Sequence, residues 1–407
     1  MCFKRIKLSV YLTLVLLIIP YIVLADNDAV STVLAARAIN DFAFDLYKEL
    51  ATEGGNIFFS PYSISAALTM TFAGAREETA NEMASTLRFA GNEAEIHASM
   101  KSIQDRFDAI SDDLGVLDIA NRLWLNSGNE LLPDFERIVE RYYGAGFSSV
   151  DFSREPDNAR LTINNWVAQE TRDKIKDILS PGSITTLTRL VLTNAIYFNA
   201  NWEHQFDIRD TRHLPFFSRL NESKLTPMMT RTDSYFYGEN DEMQWIKMPY
   251  KIPNISMVVL LPRENETFTQ LEEIEKSLSS ESLTRMLSRM RSERVRLQFP
   301  RFKDEQNYSL PSVLSKLGMQ QSFRPDADFS GLMDIANGLY NLYISDVVHQ
   351  AFIEVDEKGT EAAATDGVVS VTGAERVREF NANRPFIYFI YDELTGVILF
   401  MGRKIEV

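Results

Sequence analysis

The feature that most constrains the fold is a stretch of small and polar residues between two strand-like runs. The stretch, EVDEKGTEAAATDGVVSVTGAERVREF, covers residues 354–380. It follows HQAFIEV and precedes PFIYFIY, and both runs have the β-branched and aromatic composition of buried strands. Because a long irregular segment inside a compact domain is usually functional, the stretch predicts an exposed functional loop between two core strands.

Residue alternation in this stretch predicts a second conformation. Gly359 gives the backbone the freedom to hinge, and the residues after it are mostly small. If they formed a strand, Glu361 would point to solvent and its neighbours would point into a core. Apart from Asp366, the residues on the inward-facing side are small or apolar. The segment is therefore typical of a loop that can become a buried strand, and the inward-facing residues would be Thr360, Ala362, Ala364, Asp366 and Val368.

The N-terminus has the pattern of a secretory signal. MCFKRIK is basic, and the apolar run LSVYLTLVLLIIPYIVLA that follows it ends in small residues. We expect residues 1–25 to be a signal peptide and residues 26–407 to form the mature domain. A signal-anchor helix is the alternative, because the run approaches spanning length. Cleavage would lower the Lys and Arg count from 42 to 39 against 57 acids, so the net charge would change from −15 to −18.

Cleavage would also remove Cys2, the single cysteine. A domain of this size can be stable by packing alone, without disulfides. The negative charge argues against nucleic acid and anionic membrane as general partners. We expect a secreted, extracellular, monomeric glycoprotein. The acceptor asparagines of its four glycosylation sequons are Asn221, Asn254, Asn265 and Asn307.

The remaining sequence predicts one α+β domain. It has no linker, low-complexity tract or repeat that would divide it. The first half is mostly helical in period, as in STVLAARAINDFAFDLYKEL, and the second half has strand-like runs such as ISMVVLLP and GVILFMGRK. Early helices and late strands predict an α+β fold with large, mostly antiparallel or mixed sheets.

Catalytic and metal-binding motifs are missing from the sequence. It contains no Gly-x-Ser-x-Gly, P-loop, GxGxxG or His-Glu-x-x-His pattern, so we expect neither enzymatic activity nor a cofactor or metal. The basic residues from Arg285 to Lys303 alternate with apolar ones, as on a solvated strand face; a polyanion site is the alternative. The four histidines lack metal-ligand spacing, and they are His97, His204, His213 and His349.

Several segments closely resemble the serpin family in order and spacing. They are NIFFSPYSISAAL, VLTNAIYFNANW, HQAFIEVDEKGTEAAAT, FNANRPFIYFI and LFMGRK, and the similarity covers essentially the whole mature chain. The resemblance implies a single domain with three β-sheets, about nine helices and an exposed reactive loop at about residues 357–380. It also implies suicide inhibition, in which a serine protease cleaves the loop and stays acylated while the hinge inserts into the central sheet.

The resemblance assigns roles to individual residues. Ser60 and Ser63 in SPYS, Asn194 in LTNAIYF and His349 in HQAF match the family's shutter, a polar cluster beneath the strands that part. Such groups can exchange hydrogen bonds as strands separate. For His349, a buried histidine that serves stability alone is the alternative. Trp202 matches a tryptophan at the top of the central sheet, where the hinge first inserts, although a lone aromatic is by default a core residue.

The hinge keeps the pattern of inhibitory members of the family. Non-inhibitory carriers, chaperones and storage members usually have bulky or charged residues where this chain has small ones, so we expect inhibition. Asp366 departs from the pattern, because the family usually has threonine there and burying an unpaired carboxylate is costly. We therefore expect slower insertion than with threonine. The hinge positions are Glu357, Gly359, Thr360, Glu361, Ala362, Ala363, Ala364, Thr365 and Asp366.

The family's usual distance from the hinge glycine places the scissile bond at Gly373–Ala374. A small residue at this bond suits an elastase-like protease. The alternatives are Arg376–Val377 and Arg378–Glu379, which suit a trypsin-like protease, and Arg376 would require a longer hinge than usual.

Heparin-activated relatives carry a basic helix where this chain has HASMKSIQDRF. That segment holds only Lys101 and Arg106, so we expect no strong heparin dependence.

Overall fold

The computed structural model describes residues 31–110, 113–128, 130–144, 146–219, 222–263, 269–333, 342–359 and 376–407. These ranges contain nine α-helices and fourteen strands. The helices are α1 (residues 31–51), α2 (Pro61–Phe72), α3 (Glu77–Thr86), α4 (Glu93–Asp108), α5 (Pro133–Tyr143), α6 (Pro156–Glu170), α7 (Thr269–Ser277), α8 (Ser280–Arg289) and α9 (Pro311–Lys316). The strands are β1 (Ile57–Phe59), β2 (Gly115–Asn126), β3 (Phe147–Val150), β4 (Leu190–Ala200), β5 (Arg212–Arg219), β6 (Glu222–Glu239), β7 (Met243–Pro249), β8 (Ile255–Pro262), β9 (Arg291–Pro300), β10 (Phe302–Ser309), β11 (Ile344–Val355), β12 (Arg378–Asn381), β13 (Phe386–Asp392) and β14 (Val397–Lys404).

Five strands form one sheet in the order β10-β11-β4-β2-β3. β10 and β11 are antiparallel, as are β4 and β2, but β11 and β4 run parallel to each other in the centre. This parallel pair extends from Ile344 opposite Leu190 to Ile353 opposite Phe198. The boundary between β4 and β11 is termed the seam below.

The other nine strands form a larger sheet that has two parts. Its path is β1-β14-β13-β8-β7-β6-β9-β12, and β5 also pairs with β6. β6 is the only strand shared by the group β5, β9 and β12 and the group β1, β14, β13, β8 and β7. With the five-stranded sheet, these two parts give the three expected sheets, and the α+β fold is confirmed.

The expected separation of early helices from late strands is wrong in part. β2, the long strand Gly115–Asn126, lies within the helical half, and α7, α8 and α9 lie among the late strands. The alternation of apolar and polar residues is weak in β2 because most of its residues are only half-buried. Polar side chains at such positions obscure the alternation that marks a strand.

α2 lies between the two sheets and supports the seam from inside. Ser60 caps its N-terminus by accepting a hydrogen bond from the Ser63 amide at 3.1 Å, and Pro61 occupies the first turn. Almost the whole helix is buried, and it contacts β2 and β4 on one side and β14 on the other. Its side chains are apolar or small hydroxyls on every side, as expected for a helix in such an interior position.

α6 covers the outer face of the five-stranded sheet. Side chains on β4 alternate accordingly. Val191, Ala195 and Tyr197 pack in the cluster beneath α6, whereas Ile196 and Phe198 pack in the central core. β4, near the centre of this sheet, is therefore buried on both faces.

The expected reactive loop lies mostly outside the described residues, including Thr360 to Asp366 and the Gly373–Ala374 bond. Residues 378–380, at the approximate end of the expected loop, belong to β12, which begins at Arg378 and pairs in parallel with β9. The expected signal peptide, Asn221 and Asn265 also lie outside the described residues. Within the described ranges, the helices fall short of the length and hydropathy needed to cross a bilayer.

Candidate functional site: the seam between two parallel strands

A row of polar residues crosses the middle of the seam. Asn121 of β2 lies opposite Asn194 of β4, Asn194 lies opposite His349 of β11, and His349 lies opposite Tyr308 of β10. Residues in register on neighbouring strands project to the same face of a sheet. Here that face is the inner one, where α2 presents Ser60 and Ser63.

Hydrogen bonds join this row to α2. The Ser60 amide donates to His349 Nε2 at 3.0 Å, and His349 Nδ1 donates to Asn194 Oδ1. Asn194 Nδ2 in turn donates to Ser63 Oγ at 2.5 Å and to Asn121 Oδ1. The structure thus brings together Ser60, Ser63, Asn194 and His349, which sequence reasoning had grouped as the shutter.

The imidazole of His349 is neutral in this arrangement. Nε2 accepts a hydrogen bond from a backbone amide, so it has no room for a second proton. Complete burial lowers the pKa of His349 to about 3, although the bond with Asn194 acts in the opposite direction. The His349–Asn194 bond crosses the seam, so separating β4 from β11 would expose and free this imidazole.

Sequence reasoning missed two members of the row, Asn121 and Tyr308. Asn121 accepts from Ser63 Oγ at 3.0 Å, and the Tyr308 ring lies parallel to the His349 ring, with centroids 6.4 Å apart. Only the strand register identifies them. The polar interruption of IANRLW at Asn121 was the available signal in the sequence.

At the top of the seam, the end of the described β11 segment contacts the residues after β4. Gly359 forms an antiparallel bridge with Asn201, and the Trp202 amide donates to the Lys358 carbonyl at 2.8 Å. Trp202 Nε1 also donates to the Asp356 carbonyl at 3.0 Å. The buried indole stacks on Tyr250 with 4.3 Å between ring centroids. Trp202 is therefore both a core residue and a hydrogen-bond donor to the hinge.

Glycine is the one residue type that the backbone accepts at position 359. Its φ of +124° is unfavourable for residues with a side chain. A Cβ atom there would also lie 2.3 Å from the Ala200 carbonyl oxygen and 2.4 Å from the Trp202 nitrogen. The close approach of the two backbones at the hinge thus requires glycine.

Glu357 ties the hinge to the nine-stranded sheet. Its side chain is only 6% exposed, accepts a hydrogen bond from Thr211 Oγ1 at 2.7 Å and lies 3.5 Å from Arg301 Nε. Its carbonyl accepts from the Phe206 amide at 2.8 Å. Thr211 and Arg301 were not identified from the sequence, because they are distant from the hinge along the chain.

Beyond the loop, Arg376 and Val377 are exposed, but Arg378 begins β12. Its guanidinium donates to Glu239 Oε1 at 2.9 Å. The Arg378–Glu379 bond is therefore a poor candidate for cleavage, since its backbone is paired with β9.

The two described glycosylation asparagines differ in their surroundings. Asn254 is exposed in a turn, with φ +66°. Asn307 is also exposed, but its amide nitrogen donates to the Ile178 carbonyl at 2.9 Å and to Gln350 Oε1 at 3.1 Å. A glycan on that nitrogen would replace one of these two donors.

Comparison with known proteins identifies relatives of this chain. The family model described as "Serpin (serine protease inhibitor)" matches residues 37–407. An uncharacterized serpin-like protein of Thermococcus kodakarensis is 41% identical, over 91% of this chain and 85% of its own length. The leukocyte elastase inhibitor of Bos taurus is 39% identical, over 89% of this chain and 96% of its own length. The crystal structure of human thyroxine-binding globulin complexed with thyroxine superposes with a TM-score of 0.82 and 30% identity, over 92% of this chain and 99% of that one.

Proposed function

The chain belongs to the serpin family, and on this premise we propose that it is a secreted suicide inhibitor of serine proteases. A protease cleaves the reactive loop and forms an acyl-enzyme. The freed hinge then enters the seam as a new strand before the acyl-enzyme hydrolyses, and the attached protease is displaced and distorted.

The parallel pairing of β4 and β11 is the observation that carries this proposal. A strand that enters between them from the hinge runs antiparallel to both. Insertion therefore exchanges one parallel pairing for two antiparallel ones, and antiparallel pairing is the more stable per residue. The difference favours the inserted state and supplies a driving force for displacing the protease.

The Gly359–Asn201 bridge defines the register in which the hinge would enter. Each step along the loop pairs with one step back along β4. Seven residues after Gly359 comes Asp366, and seven residues before Asn201 comes Asn194, so these two would lie opposite each other. The Asp366 carboxylate would then face the buried polar row around His349, where a charge is costly.

We infer an elastase-like target cleaved at Gly373–Ala374. A small residue at the bond supports this target, and two relatives at 36% and 39% identity are named leukocyte elastase inhibitors. The alternative Arg376–Val377 bond lies directly before β12. A protease needs extended residues on both sides of the bond, so cleavage there would require the start of β12 to detach from β9.

Secretion, cleavage of residues 1–25 and a monomeric state are part of the same proposal. Of the two described sequons, Asn254 is the better glycan acceptor, since both asparagines are exposed but the Asn307 amide nitrogen already donates two hydrogen bonds. Expression in a eukaryotic secretory system, followed by N-terminal sequencing of the medium protein, tests this. A retained, uncleaved protein would favour the signal-anchor alternative.

Weak heparin dependence is supported by the cations of α4. Lys101 pairs with Asp105 at 2.7 Å, and Arg106 lies 3.1 Å from Asp392. Both charges already have carboxylate partners. A large heparin-induced increase in the rate of inhibition would contradict this part of the proposal.

One incubation series tests the function. The protein is mixed with elastase-like, chymotrypsin-like and trypsin-like proteases, resolved on a denaturing gel, and its released C-terminal peptide is sequenced. A covalent complex and a peptide beginning at Ala374 are expected, whereas a peptide beginning at Val377 would assign the bond to Arg376. Loop cleavage without a complex or a rise in thermal stability would favour a carrier or chaperone, a class to which the thyroxine complex of a structural relative points.

A further inference from the structure

The segment after α6, residues 171–175, lies across the outer face of the five-stranded sheet and is termed the strap below. Two consecutive residues with side chains, Arg172 at φ +50° and Asp173 at φ +60°, have left-handed backbone conformations. Such residues are uncommon outside glycine and often occur at functional sites. The Asp173 amide donates to the Ala168 carbonyl at 2.8 Å, so the strap turns tightly against the end of α6.

The strap and α6 are both attached to β2. Arg172 Nε lies 2.9 Å from Asp118 Oδ2, and Arg172 Nη2 lies 3.3 Å from Asp118 Oδ1, a two-pronged guanidinium–carboxylate contact. The Arg122 guanidinium lies 4.1 Å from the Trp166 ring centre on α6. Since β2 is paired with β4, Arg172 anchors the strap on the β4 side of the seam. The chain beyond the strap crosses to the β11 side, where the Ile178 carbonyl accepts a hydrogen bond from Asn307 of β10 at 2.9 Å.

Lys174 reaches from the strap across the seam. Its ammonium nitrogen lies 5.5 Å from the ring centre of Tyr197 on β4 and 6.0 Å from that of Phe352 on β11. These two rings are register partners, their centres are 5.8 Å apart, and both side chains are buried. A cation near two aromatic faces in a partly desolvated position is attracted to both.

We propose that Lys174 is a positioning residue that restrains separation of the seam from its outer face, resting on the insertion mechanism proposed above. When the loop strand enters, Tyr197 and Phe352 move one strand spacing further apart. Lys174, fixed on the β4 side, then loses the Phe352 ring. The cost of losing this contact raises the barrier to insertion and delays opening of the sheet until cleavage frees the hinge.

Lys303 provides a matched control. Its ammonium nitrogen lies 4.5 Å from the same Phe352 ring, but it projects from β10, which pairs with β11. Lys303 and Phe352 are thus on the same side of the seam and stay together during insertion. Neutralising Lys303 removes a cation from the same ring without removing a contact across the seam.

Uptake of a synthetic peptide tests the strap without a protease. The mature protein is incubated with an excess of a peptide that has the sequence of residues 360–373, and incorporation is followed by native gel and thermal unfolding. Lys174→Gln should accelerate uptake about three- to tenfold, which corresponds to the usual strength of such a contact. Lys174→Arg and Lys303→Gln should remain within about twofold of the wild-type rate.

A second readout separates restraint of the seam from general stability. Lys174→Gln should lower the melting temperature of the free protein more than that of the peptide-loaded protein, in which the Phe352 contact is already lost and only the Tyr197 contact remains. An equal decrease in both forms, an unchanged uptake rate, or equal acceleration by Lys303→Gln would overturn the proposal. If wild-type protein takes up no peptide and traps no protease, the insertion mechanism and the strap both fail. If the wild-type protein traps protease but Lys174→Gln takes up peptide at the wild-type rate, only the proposal for the strap fails.

Discussion

Two buried rows that cross neighbouring strands differ in chemistry. In the nine-stranded sheet, Phe389 of β13 lies between Val258 and Met401, and all three side chains are apolar and buried. In the five-stranded sheet, the corresponding central row places Asn194 beside His349. The first row is held by packing, which is lost if strands separate, and the second by hydrogen bonds, which can be exchanged.

The difference indicates which sheet is built to open. An apolar row that is pulled apart leaves a cavity, whereas polar groups that lose one partner can bond to an incoming backbone or side chain. Among the described strands, the parallel pairs β2–β3 and β9–β12 lie at sheet edges, whereas the parallel pair in the interior of a sheet, β4–β11, coincides with the polar row. In the proposed mechanism, the nine-stranded sheet is the fixed part of the molecule.

The largest expected effect comes from the fixed part. Phe389→Ala removes a fully buried ring that contacts Phe44 edge-on, with centroids 6.1 Å apart. We expect the free energy of unfolding to fall by about 3–5 kcal/mol. Denaturant unfolding of the native and loop-cleaved forms should give the same loss, since this sheet is proposed to be unchanged by insertion. A loss confined to the native form would break the comparison.

The seam should respond to pH through the buried imidazole of His349. The pKa of His349 is about 3 in the folded protein against an ordinary value of 6.5, because burial disfavours the charged imidazole. As the pH decreases, the unfolded chain therefore binds this proton before the folded protein does. The contribution of neutral His349 to the free energy of unfolding is fully present above pH 6.5 and is lost as the pH decreases toward 3. The slope reaches at most about 1.4 kcal/mol per pH unit.

His349→Gln isolates this effect from other groups. Burial also lowers the pKa of His97, and it raises the pKa values of Asp304 and Asp346, so the wild-type profile contains several contributions. The difference between the wild-type and variant unfolding profiles, measured from pH 7 to pH 4, should show the His349 slope. Superimposable profiles would contradict the assignment. If the profiles show the His349 slope but His349→Gln takes up peptide at the wild-type rate, His349 has a purely stabilising role.

The sequence was informative about the seam where its signals are local. Residues 354–380 predict a loop because composition and flanking strands are local properties, and Ser60 directly before Pro61 in SPYS is likewise a local signal for the N-terminus of α2. The partners Asn121 and Tyr308 could not be predicted, since their role depends on register between strands far apart in the chain. β12 was missed because four residues that pair with one neighbouring strand have too short a pattern.

Glu357 at the top of the seam should have a smaller effect than the central rows. Glu357→Ala removes the acceptor for Thr211 and the ionic partner of Arg301, so we expect a loss of about 1–3 kcal/mol in the unfolding free energy of the native form. Arg301→Gln should cost less, because Arg301 is 44% exposed and its 3.5 Å contact is screened. Equal losses from both variants would show that the ion pair, and not the Thr211 hydrogen bond, holds the hinge.

The subtlest prediction concerns how the loop meets the polar row. In the register set by Gly359 and Asn201, insertion would bring the Asp366 carboxylate against the buried Asn194–His349 pair, whereas Glu361 would point to the opposite face. Asp366→Thr should therefore speed insertion and lower the number of inhibitor molecules consumed per protease trapped. A decrease of about 1 kcal/mol in the activation free energy of insertion would change the ratio of trapping to plain cleavage about fivefold. Glu361→Thr removes the same charge from the same loop and should leave that stoichiometry unchanged. Unaltered stoichiometry in Asp366→Thr would show that burial of this carboxylate beside His349 does not limit inhibition. An equal improvement in Glu361→Thr would show that loop charge in general, and not burial, governs how well this chain inhibits.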